Sequence, residues 1–136
     1  MIVVDTGVLY GAADVDDKDH GSCRDLVNGH PGPLVVPLPV MVETSYMIGH
    51  RLGPAAETRF VLACGRGEVV VDHLVAADLV RMGELVETYA DLPLGTVDAS
   101  VVAVAERLKV TELGTLDRRD FAVVRPVHTD AFVLLP

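Results

Sequence analysis

The 136-residue chain contains no tryptophan, three phenylalanines and three tyrosines, so aromatic side chains make up only 4% of it. A row of aromatic rings for stacking single-stranded bases is therefore not evident. Cysteine is scarce too. Cys23 and Cys64 lie far apart, form no metal or redox motif, and read as small apolar packing residues in a reducing compartment. No apolar stretch approaches the ~20 residues of a membrane span. The run Leu34–Val42 is broken by Pro37 and Pro39. The N-terminus, Met1-Ile2-Val3-Val4-Asp5, lacks a basic leader and reads as a first strand, which predicts a cytoplasmic protein. Basic residues are few, 11 against 20 acids, for a net charge of −9. That balance by itself argues against the basic footprint of a typical nucleic-acid binder.

Apolar residues are plentiful. They form 50% of the chain, with a mean hydropathy of +0.38, which excludes disorder and predicts one domain over residues 1–136. Short apolar strands are expected at Ile2–Val4, Leu34–Val36, Val69–Val71 and Val110–Thr115, with a last strand or hairpin starting at Val123-Val124 and paired with the tail Phe132–Leu135. Thr6 and Gly7 are expected to turn the chain after the first strand. Helices are expected at His20–Asn28, Pro39–Arg51, Ala55–Cys64 and Leu74–Tyr89, with a helical turn at Asp117–Phe121, and from a Thr96 cap over Val97–Leu108. In the last, Val97, Val101, Val104, Ala105 and Leu108 recur at helical spacing. Alternating strands and helices, with strands apolar throughout, predict an α/β fold whose mostly parallel sheet is covered on both faces.

Most acids read as solvated surface, including Asp14, Asp16, Asp17 and Asp19. Four sit oddly. Asp5 follows an apolar strand, Glu43 interrupts an apolar helix start, Asp98 opens the most apolar helix, and Asp117 ends the fourth strand. Singly each has an ordinary role, as a cap, a dipole partner or a turn residue. Together they fall where strands end and helices begin, on the edge of an open α/β sheet that binds ligands. Two carboxylates ~4 Å apart repel by roughly 4 kcal/mol at an effective dielectric near 20, so such a cluster binds a proton or a cation. An all-oxygen donor set suits a hard ion, Mg²⁺ or Mn²⁺.

Asp5-Thr6-Gly7, Glu43, Asp98-Ala99-Ser100 and Thr115-Leu116-Asp117-Arg118-Arg119-Asp120-Phe121, in that order, resemble the PIN domain, and with the chain length they resemble the VapC toxins of type II toxin–antitoxin modules. The resemblance implies a three-layer α/β/α sandwich around about five parallel strands. It also implies a Mg²⁺-dependent endoribonuclease that acts as a homodimer and is neutralised by a cognate antitoxin. Carried over by position, Asp5, Glu43, Asp98 and Asp117 match the catalytic acids, with Asp5 and Asp98 as principal metal ligands and Asp117 beside them. Thr115 matches the hydroxyl that orients the acids, and Thr6 and Asp120 are supporting; relatives often carry histidine at the position of Asp120.

A carboxylate-held cation gives a water nucleophile near neutral pH, so none of the five histidines is needed as a base. Arg118 and Arg119 are the first candidates for holding RNA, with Arg51 and Arg24 behind them. Tyr46, Met47, Phe60, Val61 and Leu62 are expected to face a second copy. Three other readings fit parts of the pattern: an RNA-processing nuclease without an antitoxin, a metal-free PIN-like binding module, and a receiver-like domain. The receiver pattern lacks its acidic pair after the first strand and a lysine after a late strand.

Overall fold

A computed structural model describes all of residues 1–136. Five short strands, β1 (Ile2–Val4), β2 (Leu34–Pro37), β3 (Val70–Asp72), β4 (Glu112–Gly114) and β5 (Val133–Leu135), form one sheet in the order β3-β2-β1-β4-β5. Every pairing is parallel, with Val3 opposite both Val35 and Leu113, and Leu113 opposite Leu134. The central strands β1 and β2 are wholly buried, as strands covered on both faces must be.

Seven helices connect them: α1 (Thr6–Ala13), α2 (His20–Gly29), α3 (Leu38–Leu52), α4 (Pro54–Gly65), α5 (Ala76–Thr88), α6 (Thr96–Leu108) and α7 (Arg118–Val123). Right-handed crossovers put α1–α4 on one face and α5–α7 on the other, because the chain steps from β1 toward β3 and then returns past β1 to β4 and β5. The reversal lies between β1 and β4. That is the switch point where an open α/β sheet leaves a crevice at its carboxyl edge.

Three expectations are corrected. Thr6 and Gly7 open α1 directly, with no intervening turn, and the Asp5 carboxylate caps it by accepting the Thr6 N–H. Gly95, not Thr96, is the N-cap of α6. Val123 ends α7 and Val124 follows it into the core, so no hairpin forms; the tail Val133–Leu135 pairs parallel with β4 instead. The other elements stand within a few residues of their expected positions. Both cysteines are free thiols, Cys23 buried and Cys64 half-buried.

Candidate active site

The crevice at the switch point is built by four elements. Asp5 leaves the end of β1, Thr115 and Asp117 follow β4, Asp98 stands in the first turn of α6, and Asp120 lies in α7. Asp98, Asp117 and Asp120 each bring a carboxylate oxygen to within 4.8 Å of the others. Asp5 is tied to them through a relay. Its Oδ1 accepts the Thr6 N–H (2.8 Å) and its Oδ2 accepts the Thr115 hydroxyl (3.2 Å). That hydroxyl oxygen in turn accepts the Asp117 N–H (3.0 Å), and Asp117 Oδ1 accepts the Asp120 N–H (3.0 Å). Thr115 is itself fixed from behind, its own N–H donating to the Leu135 carbonyl of β5 (2.7 Å).

Burial and mutual repulsion act together here. Burial is the largest cause pushing the Asp98 carboxyl up to about 7, and Asp5, Asp117, Asp120 and Glu43 each raise it further. Asp5 is raised as well, chiefly by burial, although the hydrogen bonds from Thr6 and Thr115 pull the other way. Desolvation and the neighbouring Asp117 carboxylate also raise Asp120, while Arg119 opposes them. At pH 7 the set therefore holds more negative charge than it can carry comfortably. The donor set is oxygen throughout, with the Thr6 hydroxyl buried beside Asp5 and lacking a hydrogen-bond partner. These are the donors a hard divalent cation takes.

A family profile for the PIN domain matches residues 2–125. The chain belongs to the PIN-domain family. Over 135 residues, 99% of this chain and all of the relative, it is 28% identical to ribonuclease VapC26 of Mycobacterium tuberculosis (strain ATCC 25618 / H37Rv). The crystal structure of Mycobacterium tuberculosis VapC20, described as a sarcin–ricin loop cleaving toxin, shares the fold. It superposes with a TM-score of 0.85 at 22% identity, over 96% of this chain and 99% of that one.

The PIN crevice brings the expected acids together unevenly. Asp98 and Asp117 are in the triad, and Asp120 joins them as a full member because the α7 cap folds it back onto Asp117. Asp5 sits behind them, joined to Asp117 by two hydrogen bonds through the Thr115 hydroxyl. Glu43, on α3, is exposed at the rim and reaches the others through its field alone. Of the expected cations, Arg118 donates to the Pro136 carbonyl and Arg24 pairs with Asp25, whereas Arg119 is exposed and free of ion pairs. His20 bonds the Gly11 carbonyl through Nδ1, His30 engages Gly32 and Glu112 through its two nitrogens, and His128 bonds the Val110 carbonyl through Nε2. The larger of two cavities lies elsewhere, an apolar cleft of about 430 Å³ between α1, α2 and α4, lined by Leu9, Ala12, Val27, Phe60 and Ala63 among others.

Proposed function

We propose that this PIN protein is a VapC-type toxin, an endoribonuclease whose acidic crevice holds Mg²⁺, with Mn²⁺ able to replace it. The observation that carries the reading is the triad Asp98–Asp117–Asp120 joined through Thr115 to Asp5 at the switch point. Three carboxylates whose oxygens lie within 4.8 Å repel by about 3–4 kcal/mol per pair at an effective dielectric near 20, which favours a divalent guest. When bound, that ion acidifies water and offsets the charge of a phosphodiester.

Each side chain then has a part. Asp5, Asp98 and Asp117 hold the ion, with Asp120 closing the set. Thr115 fixes the Asp5 carboxylate and the Asp117 backbone at once, so ligand geometry exists before binding. Glu43, exposed at the rim, orients water on the solvent side, and Thr6 supports Asp5 by donating its backbone N–H to the carboxylate. Arg119 offers a free cation to the RNA backbone beside the acids. The net charge of −9 fits this arrangement, because RNA approaches the crevice only once the cation is in place. Water is the attacking group, so cleaved RNA is expected to carry 5′-phosphate and 3′-hydroxyl ends. Incubating purified protein with total RNA tests this. Cleavage with Mg²⁺ or Mn²⁺ that vanishes in EDTA supports it, whereas full cleavage in EDTA, or 2′,3′-cyclic phosphate ends, overturns it.

The apolar cleft between α1 and α4 suits the apolar segment of an antitoxin, since its lining is mostly hydrophobic and clear of the acids. A homodimer is proposed through α4, where Val61 and Leu62 are exposed, with Leu52 at the end of α3. Met47 and Phe60 are half-buried, and Phe60 packs on the core and lines the cleft, which removes it from the expected dimer face. Sedimentation at tens of micromolar is expected to give a dimer, and a monomer there removes this surface from consideration. No helix is long and apolar enough to cross a membrane.

A further inference from the structure

Five of the six phenylalanine and tyrosine rings are buried or half-buried; Tyr46 alone is exposed, with 68% of its surface in solvent. It is not loose. Its ring lies parallel to the His50 imidazole, centroids 5.9 Å apart and planes 5° from parallel, one helical turn along α3. The pair follows Glu43 on one stripe of that helix, at i, i+3 and i+7, so it begins about 5 Å along the axis from the rim acid and ends about 10 Å away. The next residue, Arg51, sits about 100° round the helix from His50, its guanidinium over the Tyr10 ring, 5.0 Å from its centroid, without a carboxylate in ion-pair contact. A stacked, solvent-exposed aromatic pair followed by a placed cation offers an outer ring face to a base and a charge to its phosphate. The composition alone had suggested no such platform.

We propose that the stacked Tyr46–His50 pair is a base-stacking platform for single-stranded RNA entering or leaving the acidic crevice, with Arg51 contacting the adjoining phosphate. The proposal rests on the ribonuclease reading and adds to it a subsite that grips the strand outside the cleaved bond. Stacking on one ring tolerates any base, so the platform contributes affinity and register without fixing a sequence.

Full-length protein is titrated into a fluorescein-labelled pool of random single-stranded RNA dodecamers, with Ca²⁺ replacing Mg²⁺ to hold off cleavage. Tyr46→Ala is expected to raise Kd roughly tenfold, while Tyr46→Phe, which keeps the ring, stays near wild type. Arg51→Ala is expected to weaken binding and to lower the slope of log affinity against log salt by about 0.7, one phosphate contact on a single strand. Sedimentation of Tyr46→Ala is expected to match wild type. Unchanged binding by Tyr46→Ala overturns the platform, and so does a change in association state, which marks Tyr46 as a subunit contact. If wild type binds no RNA with the cation present, the ribonuclease reading falls first and takes the platform with it. Wild-type binding with an inert Tyr46 sinks the platform alone.

Discussion

Asp98→Asn is expected to abolish most cleavage and, in EDTA near pH 8, to leave the fold as stable as wild type or more so. Asp98 has a folded-state pKa of about 7 against an ordinary value of 3.8, so between those values the folded chain holds a proton that the unfolded chain has released. Stability owed to this residue is thus fully present below about pH 4 and is lost as pH rises through about 7. The full shift corresponds to ~4 kcal/mol, and solvent access to this half-buried group trims it to roughly 1–2 kcal/mol. Asparagine does not titrate, which flattens the stability of the variant from pH 5 to 8. Its loss of a first-turn charge at α6 returns only ~0.3–1 kcal/mol of that gain. Saturating Mg²⁺ reverses the order, because wild type gains ~2.7 kcal/mol when free ion stands a hundredfold above its Kd. Thermal melts at pH 5 and 8, with EDTA and with Mg²⁺, beside one RNase assay, decide it. An active variant that melts below wild type in EDTA would return Asp98 to the role of a dipole partner.

The acids were legible because each stands where an apolar segment stops, and parallel topology carries those stops to one edge. The rank among them was not. Asp120 enters the triad through a local cap, its N–H on the Asp117 carboxylate, that residue types alone do not encode. Arg118 reads as an RNA cation in the sequence, which gives no sign that one of its terminal nitrogens also donates to a tail carbonyl 18 residues away. Only the return of β5 beside β4 brings those two together.

The fold shows the same division. In α6 the apolar spacing identifies the helix, yet every residue from Ala99 to Glu106 is buried, since the helix lies between sheet and α5 and not at the surface. Helix α1 was missed because Thr6, Gly7, Val8 and Gly11 are poor helix formers in isolation. Tertiary packing overrides that preference. Val8 and Leu9 enter the core, and Gly11 leaves room for Cys23, whose Sγ would stand 2.9 Å from a β-carbon there. Val123-Val124 looked like a strand for the opposite reason. Two β-branched residues suggest extended chain, but the Asp117 cap starts a helix that runs through Val123 and delivers Val124 to the core.

The helix that presents Asp98 at one end is anchored at the other, and cutting that anchor is expected to unfold the protein earlier without touching the crevice. Arg107, in the last turn of α6, donates through Nε to both oxygens of Asp78 (3.0 and 3.1 Å) and through a terminal nitrogen to Asp72. The Asp78 side chain is 4% exposed, and its only other partner is the Val75 N–H that it caps (3.0 Å). Removing the guanidinium in Arg107→Ala leaves a buried carboxylate with one hydrogen bond, a change of the kind that costs about 3 kcal/mol. For a chain of this size that lowers the melting temperature on the order of 10 °C. The paired variant Asp78→Leu with Arg107→Met is expected to recover most of the loss, because desolvating two charges offsets much of their attraction. Cleavage well below the melt is expected to stay at the wild-type rate in both, since Asp98 keeps its place nine residues away. A single variant with an unchanged melt shows that solvent reaches Asp78 freely; one with an intact melt and lost activity shows that Arg107 serves the reaction instead of the fold.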